Sequence, residues 1–175
     1  MKLYKKYITE VSDFPEEGVN FKDISPLLAD QQLFVSCIEG MGNLIENHLP
    51  NYWIGIDARG FIFASALAIH CGGGVVMCRK AGKLPPPVIR KRYQLEYGTE
   101  WIEMKEGNGT AVIVDDVLAT GGTLEAANYL TGIAGYDVID NLVLIDLKYI
   151  PKVMMTFADG AKEFGLDVKS LIQYE

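Results

Sequence analysis

The chain has 175 residues, of which 49% are hydrophobic and 22% charged, a size and composition typical of one globular domain. Its formal net charge of -7 argues against general nucleic-acid binding, because that binding depends on neutralising phosphates with Lys and Arg. No apolar run resembles a signal peptide or reaches the roughly 20 residues of a membrane span. We therefore expect a single domain over residues 1–175, located in the cytoplasm, with no nucleic-acid or membrane partner.

The cysteines and histidines indicate no metal site. Cys37, Cys71 and Cys78 form no closely spaced pair, and His48 and His70 complete no zinc-ligand spacing with them. A small, odd number of cysteines is typical of a reducing compartment. We expect each thiol to act as a small buried hydrophobic side chain rather than as a nucleophile.

Apolar patterning predicts alternating helices and strands along most of the chain. Helical spacing from Asp30 to Leu49 predicts a helix that Asp30 caps. Two further segments have helix-forming composition, and five short apolar runs predict strands. These are helices at Phe61–Cys71 and Thr123–Ala134, and strands at Trp53–Ile56, Val75–Cys78, Ala111–Val114, Leu142–Leu147 and Val168–Tyr174. The alternation predicts an α/β fold with a central, mostly parallel sheet flanked by helices.

Two segments interrupt the alternation. Between Gly82 and Gly109, three consecutive prolines precede the alternating pieces YQLEY and TEWIEM, which predicts a mobile loop leading into a β-hairpin. The segment from Tyr149 to Gly165 is compatible with either a loop or a helix.

The most informative segment is VIVDDVLATGGT, from Val112 to Thr123, in which an apolar strand ends at two acids and a loop of small residues opens a helix. The carboxyl ends of parallel strands are where open α/β sheets bind ligands, and glycines let backbone N–H groups approach an anion. The positive end of the following helix adds to the attraction. The pattern predicts a phosphate site formed by Ala119, Thr120, Gly121, Gly122 and Thr123.

The two acids beside this loop would repel a phosphate unless they face other groups. Asp115 and Asp116 could accept hydrogen bonds from the vicinal hydroxyls of a ribose, with Mg²⁺ nearby bridging to pyrophosphate. For two acids taken alone, an ordinary turn with a solvated carboxylate is the alternative. The chain has neither the glycine-rich dinucleotide motif nor the P-loop motif.

This segment resembles the motif by which type I phosphoribosyltransferases bind phosphoribosyl pyrophosphate (PRPP). Four more stretches resemble the adenine phosphoribosyltransferases of that family and occur in their order: DFPEEGVNFKDISPLL from Asp13, GIDARGFIFASALA from Gly55, RKAGKLP from Arg79 and YQLEYG from Tyr93. The resemblance extends over most of the chain. It implies an N-terminal hood over residues 1–28, a flexible loop and hairpin over residues 80–104, and a homodimer.

The resemblance also implies an activity, the transfer of ribose 5-phosphate from PRPP to adenine with Mg²⁺ as cofactor, which gives AMP and pyrophosphate in purine salvage. Two alternatives stay open: the same transfer to hypoxanthine, guanine or xanthine, and a PRPP sensor without catalysis. A sensor often lacks the glutamate of the flexible loop and carries a DNA-binding segment. Here Glu96 is present, and the roughly 12 residues before Asp13 are too few for a helix-turn-helix unit.

For the reacting groups, the resemblance implies that Ala58 and Arg59 form a pyrophosphate loop. In that fold class the loop often contains a strained or cis non-proline peptide, which would be a functional outlier if present at Ala58 to Arg59. Arg59 suits this role because a planar guanidinium can grip two oxygens, although a surface arginine is the alternative. Lys80 and Lys83 would stabilise the departing pyrophosphate. Glu96 would be the general acid or base for the purine, although strand alternation alone favours a solvent-facing residue.

For the purine, we expect Phe21 to stack on one face and Leu118 or Val117 to cover the other, although Phe21 could equally be a core residue. A backbone C=O and N–H pair near Asn20 to Lys22 would select adenine over hypoxanthine. The sequence departs from the family pattern here, with Asn20 in place of an aliphatic residue and Lys22 in place of Arg. Both departures are tolerable if the backbone recognises the base, whereas side-chain recognition would change the specificity.

Overall fold

The computed structural model describes residues 2–45, 49–95, 98–152, 155–156, 162–163 and 165–175. In chain order the elements are α1 (Lys2–Lys5), β1 (Thr9–Ser12), β2 (Asn20–Asp23), α2 (Ser25–Ala29), α3 (Gln31–Leu44), β3 (Tyr52–Ile56), α4 (Gly60–Cys71), β4 (Gly74–Lys80), β5 (Ile89–Leu95), β6 (Gly98–Met104), β7 (Gly109–Leu118), α5 (Gly122–Ile133), β8 (Tyr136–Leu147), β9 (Met155–Thr156), β10 (Lys162–Glu163) and β11 (Lys169–Tyr174).

A seven-stranded sheet in the order β11-β8-β7-β3-β4-β6-β5 forms the centre of the molecule. The first five strands in this order are parallel to their neighbours, whereas β6 pairs antiparallel with β4, and β5 with β6. The parallel strands therefore end at one edge of the sheet, where ligand sites of such folds lie. The predicted α/β class with a mostly parallel sheet is confirmed.

Successive residues of the central strands alternate between two hydrophobic cores. On one face, Trp53 packs with α3 and α4, and on the other Ile54 packs with α5. The two cores therefore lie on opposite faces of the sheet. None of the helices in the described ranges is long and apolar enough to cross a membrane.

The predicted helix after Asp30 is present but shorter than expected. The Asp30 carboxylate accepts from the backbone N–H groups of Gln32 and Leu33, each at 3.0 Å, so it caps α3 as predicted. The helix ends at Leu44 rather than Leu49, because Ile45 leaves the helical conformation with a ψ of 77°. Leu49 is 60% exposed, so the last apolar residue of the pattern is not part of the buried stripe.

The N-terminal hood contains its own two-stranded antiparallel sheet. Strands β1 and β2 pair with Val11 opposite Phe21. Ile24 and Leu27, which follow β2, are buried in the core beside α3 and α4. The hood is thus fixed by apolar contacts at its base, while β1 is exposed and β2 is mostly partly buried.

The hairpin predicted between Gly82 and Gly109 is also present, with β5 and β6 paired from Ile89 opposite Met104 to Leu95 opposite Gly98. Glu103 fixes its base. One oxygen of this fully buried carboxylate accepts from the backbone N–H groups of Lys83 and Leu84 at 2.8 and 2.7 Å, and the other accepts from Arg90 at 2.9 Å. Burial acts to raise the pKa of Glu103, but these hydrogen bonds outweigh it and lower the pKa to about 2.

We expect Glu103→Gln to lower the free energy of unfolding at pH 7 by about 1 to 3 kcal/mol, because charge-assisted hydrogen bonds in a buried site are lost. A glutamate whose folded pKa lies below its usual 4.5 stabilises the protein above that pH, and this contribution disappears as the pH falls towards 2. The difference between wild type and variant should therefore shrink over this acidic range in urea titrations. The exposed Glu106, replaced by Gln, is the control, and a pH-independent deficit for Glu103→Gln would contradict the assignment.

Candidate active site

The predicted phosphate loop lies at the carboxyl end of β7 and leads into α5. Gly121 has a φ of 91°, a left-handed conformation that side chains rarely adopt, and it directly precedes the first residue of α5, Gly122. Ala119, Thr120, Gly121 and Thr123 line a small cavity of about 90 Å³, the loop cavity. Backbone N–H groups, two hydroxyls and the positive end of a 12-residue helix thus surround a volume suited to an anion.

A central cavity of about 460 Å³ adjoins the loop cavity and shares Asp115, Val117, Ala119 and Thr123 with it. Its other lining residues come from the end of β3, from β4, from the hairpin and from β7: Ile56, Asp57, Ala58, Arg59, Lys80, Tyr93, Glu100 and Asp116. Ala58, Arg59, Lys80, Asp115 and Asp116, all singled out from the sequence, are therefore brought together. Lys83 does not line this cavity.

The two acids at the end of β7 are held in a desolvated position. Asp116 is 4% exposed, and one oxygen of its carboxylate lies 2.9 Å from the Nε of Arg59. Burial raises the pKa of Asp115 well above its usual range, and the neighbouring Asp116 raises it further. Burial also raises the pKa of Asp116, although the Arg59 charge opposes this shift. A ligand that donates hydrogen bonds or brings positive charge would stabilise the ionised pair.

Arg59 connects the central cavity with the hood. It precedes α4, its guanidinium pairs with Asp116, and its Cζ lies 4.9 Å from the centre of the Phe21 ring, a cation–π distance. The cis non-proline peptide of this region joins Asp57 and Ala58. This loop thus contains the cis non-proline peptide that is frequent in the fold class, one peptide before the Ala58–Arg59 bond considered from the resemblance.

Under the hood, a third cavity of about 330 Å³ is lined by Val11, Phe14, Phe21 and Asp23. The Phe14 and Phe21 rings meet edge to face with their centroids 5.2 Å apart. We call this space the hood pocket. It offers an aromatic surface of the kind that a flat heterocycle can contact.

The neighbours of Phe21 direct their side chains elsewhere. Both Asn20 and Lys22 contact the Glu10 carboxylate, through Nδ2 at 3.1 Å and Nζ at 2.9 Å. The buried Lys22 ammonium also lies 4.5 Å from the centre of the Tyr174 ring. These two side chains are therefore occupied within the protein, which leaves the backbone of β2 and the side chain of Asp23 as the polar groups beside Phe21.

Leu118 and Val117, the two residues expected to cover the second face of the purine, differ in the cavities that they line. Leu118 is 3% exposed and lines the loop cavity, whereas Val117 lines both the loop and the central cavities. Strand alternation at the end of β7 explains the difference, because successive side chains point to opposite faces.

The hairpin contributes a polar cluster that was not predicted from the sequence. Tyr93 and Glu100 are directly opposite each other in the β5–β6 register, and both line the central cavity. One Glu100 oxygen pairs with Lys80 at 2.8 Å, and the other accepts from the Tyr93 hydroxyl at 3.4 Å. Tyr93 also hydrogen-bonds Thr123, and burial raises its pKa to about 12. The pieces YQLEY and TEWIEM contained the signal, but only their register shows which residues meet.

Several expected groups lie apart from this site. Glu96 falls outside the described residues, between the end of β5 and the start of β6. Cys37 and Cys78 are buried, and burial raises the pKa of each thiol to about 12, as expected for hydrophobic rather than nucleophilic residues. Within the described ranges, no three His, Cys, Asp or Glu side chains are grouped as ligands of a metal ion.

The fold and the site define a phosphoribosyltransferase: the model of the phosphoribosyl transferase domain matches residues 25–148. An adenine phosphoribosyltransferase of Hydrogenovibrio crunogenus is 43% identical over 174 residues, which cover 97% of this chain and 95% of that protein. This chain belongs to the adenine phosphoribosyltransferase family of pentosyltransferases.

Solved structures agree with this assignment. The adenine phosphoribosyltransferase of Thermoanaerobacter pseudethanolicus superposes with a TM-score of 0.87 at 37% identity, with 99% of each chain covered. The enzyme of Saccharomyces cerevisiae, solved with an imino-altritol bisphosphate and adenine, superposes with a TM-score of 0.83 at 28% identity and 97% coverage of both chains.

Proposed function

We propose that this protein transfers ribose 5-phosphate from PRPP to adenine, giving AMP and pyrophosphate in purine salvage. The observation that carries the proposal is that the loop cavity and the central cavity adjoin along Asp115 to Thr123. A phosphate monoester on the loop and a pyrophosphate near Arg59 would then lie on either side of the two acids. This order of a first anion site, two hydroxyl acceptors and a second anion site corresponds to the 5-phosphate, the ribose and the pyrophosphate of PRPP.

Each group has a proposed role in the reaction. Ala119, Thr120, Gly121, Gly122 and Thr123 would hold the 5-phosphate through N–H and hydroxyl donors. Asp115 and Asp116 would accept hydrogen bonds from the ribose hydroxyls, which favours their ionised forms. Ala58, Arg59, Lys80 and Lys83 would bind pyrophosphate and stabilise the charge that develops as the C1′–O bond breaks and N9 of the base forms the new bond.

Two of these cations must exchange partners when pyrophosphate binds. Arg59 is paired with Asp116, and Lys80 with Glu100, in the structure described here. A pyrophosphate offers several charged oxygens in place of one carboxylate, so the exchange is favourable for both side chains. Lys83 lies in the loop held by Glu103, so its approach to the ligand would require this loop to shift.

For the base, we propose the space between the hood pocket and the central cavity, with Phe21 stacked on one face of the purine. Of the two residues expected on the other face, Val117 lines the central cavity and is the candidate, whereas Leu118 lines only the loop cavity. The Asn20 and Lys22 side chains are engaged with Glu10, which favours recognition by the backbone of residues 20–22. Adenine donates from its 6-amino group and accepts at N1, whereas hypoxanthine does the reverse. A fixed backbone C=O and N–H pair would therefore hydrogen-bond adenine, whereas hypoxanthine would leave both backbone groups unpaired.

The cofactor that we propose is Mg²⁺. Asp57, Glu100, Asp115 and Asp116 place carboxylate oxygens around the central cavity, and such oxygens are the ligands that Mg²⁺ prefers. Mg²⁺ is usually held by one or two carboxylates together with substrate phosphates rather than by the protein alone. When bound, it would neutralise part of the pyrophosphate charge.

We also propose a homodimer located in the cytoplasm. On β4, Val75 and Met77 are 41% and 43% exposed, on the sheet face opposite Val76 and Cys78. This is the face that α4 covers, and Ile62 and Ile69 of α4 are 39% and 88% exposed. Such an apolar surface suits contact with a second copy. The free thiols of all three cysteines suit a reducing compartment.

The function is tested by measuring pyrophosphate release from PRPP with adenine, hypoxanthine, guanine and xanthine in turn. We expect adenine to be used with a kcat/KM about 10⁴-fold above that of hypoxanthine, because the wrong base leaves buried polar groups unpaired. Preference for another base would replace the proposed specificity. Binding of PRPP without turnover of any base would identify a sensor instead.

Arg59→Ala should reduce kcat/KM for PRPP by about 100-fold or more, because a charged contact to the leaving pyrophosphate is lost. AMP carries no pyrophosphate, so its affinity should fall much less. Steady-state kinetics and calorimetric titration with AMP provide the two measurements. Arg92→Ala, which changes an exposed arginine of β5, is the matched control. Equal losses for PRPP and AMP would show that Arg59 does not act on pyrophosphate.

Glu96→Gln should preserve AMP binding while kcat falls by about 100-fold, because the amide keeps the size but cannot transfer the proton of the base. Single-turnover rates are required, since slow product release could conceal a change in chemistry. Glu106→Gln, at an exposed glutamate beyond β6, should leave the rate unchanged. Unaltered single-turnover chemistry in Glu96→Gln would remove this residue from the mechanism.

A further inference from the structure

Lys152, in the segment after β8 that the sequence left undefined, contacts the backbone of the phosphate loop. Its Nζ is 2.7 Å from the carbonyl oxygen of Ala119 and 2.9 Å from that of Leu147, and 3.4 Å from that of Leu118. The same Nζ is 3.0 Å from the Asp146 carboxylate, and the side chain is only 17% exposed. One ammonium group therefore joins the ends of two adjacent strands, β7 and β8.

The Lys152 ammonium has a partner for each of its donors. An ammonium has three N–H donors, and the carbonyls of Ala119, Leu147 and Leu118 account for all three, whereas the contact with Asp146 is an ion pair without a hydrogen bond. The Asp146 carboxylate is buried and is shared with Lys148, which pairs with its other oxygen at 2.7 Å. Asp146 thus fixes the position of Lys152, while Lys148 neutralises the same acid from the other side.

The contact with Ala119 determines how the loop presents its donors. In a trans peptide the C=O and the following N–H point in opposite directions. A cation that holds the Ala119 carbonyl consequently turns the N–H of Thr120 the other way, and the weaker contact to the Leu118 carbonyl acts likewise on the N–H of Ala119. Ala119 and Thr120 both line the loop cavity. A carbonyl turned into this cavity would instead repel an anion.

We propose that Lys152 is a positioning residue for the 5-phosphate site: it holds the carbonyls of the loop away from the anion so that the N–H groups face it. This inference rests on the proposed function, because it assigns the loop to the phosphate of the substrate. It gives a role to a lysine about 30 residues away from the loop in sequence, which does not itself contact the ligand.

The test compares Lys152→Met with Lys148→Met, because both lysines pair with Asp146 but only Lys152 contacts the loop. The ligands are ribose 5-phosphate, which carries the phosphate monoester, and pyrophosphate, which does not need the loop. We expect Lys152→Met to weaken ribose 5-phosphate binding about 10-fold or more in calorimetric titrations, the size expected for a lost charge-assisted hydrogen bond. Pyrophosphate affinity, and both affinities in Lys148→Met, should change less than about 2-fold.

A second variant separates positioning from a general loss of stability. Lys152→Gln keeps one N–H donor without the charge, so it should recover part of the lost affinity if hydrogen bonding to the carbonyl orients the loop. In turnover, the KM for PRPP should rise in Lys152→Met while kcat and the KM for adenine change less. Equal weakening of both ligands, no recovery in Lys152→Gln, or unchanged ribose 5-phosphate binding would each overturn the inference. Failure of the wild-type protein to bind ribose 5-phosphate would contradict the proposed function itself.

Discussion

The site depends on two carboxylates that are buried next to a loop suited to an anion. Asp115 and Asp116 follow one another at the end of β7, and burial raises the pKa of both. Like charges in a desolvated position are unfavourable unless cations or hydrogen-bond donors accompany them. Arg59 supplies one such partner at 2.9 Å, and a ribose would supply two hydroxyls. A ligand that donates hydrogen bonds to these carboxylates would relieve the unfavourable electrostatics of the free protein.

Three parts of the chain that are distant in sequence are held around these acids by different forces. The parallel pairing of β3 and β7 brings the loop at residues 57–59 to the same edge as the phosphate loop. The hydrogen bonds of the buried Glu103 fix the base of the hairpin that contributes Tyr93 and Glu100. Lys152 fixes the phosphate loop through the Ala119 carbonyl. In the last two cases a polar side chain that is fully or largely buried, rather than an apolar contact, determines a backbone position beside the cavities.

A net charge of -7 is compatible with anionic ligands because charge acts locally in this molecule. Arg59 and Lys80 line the central cavity, and the proposed donors of the phosphate loop are backbone N–H groups, which carry no net charge. The charges of surface acids, in contrast, are screened by salt over about 8 Å. Both cations are paired with acids before a ligand arrives. The affinity for an anion then depends on exchange between partners and not on free positive charge.

The sequence by itself determined the α/β class, the cap of α3 by Asp30, the hairpin and the loop of small residues that opens α5, because each depends on local spacing and backbone preference. It could not show that Tyr93 opposes Glu100, that Arg59 reaches Asp116 or that Lys152 contacts the Ala119 carbonyl. Nor could it show that Leu49 lies beyond the end of α3. Strand register and the meeting of distant side chains result from packing of the whole sheet, and no local pattern encodes them. The sequence thus indicated which residue types could take part in the chemistry, whereas only the tertiary structure showed which side chains and carbonyls they contact.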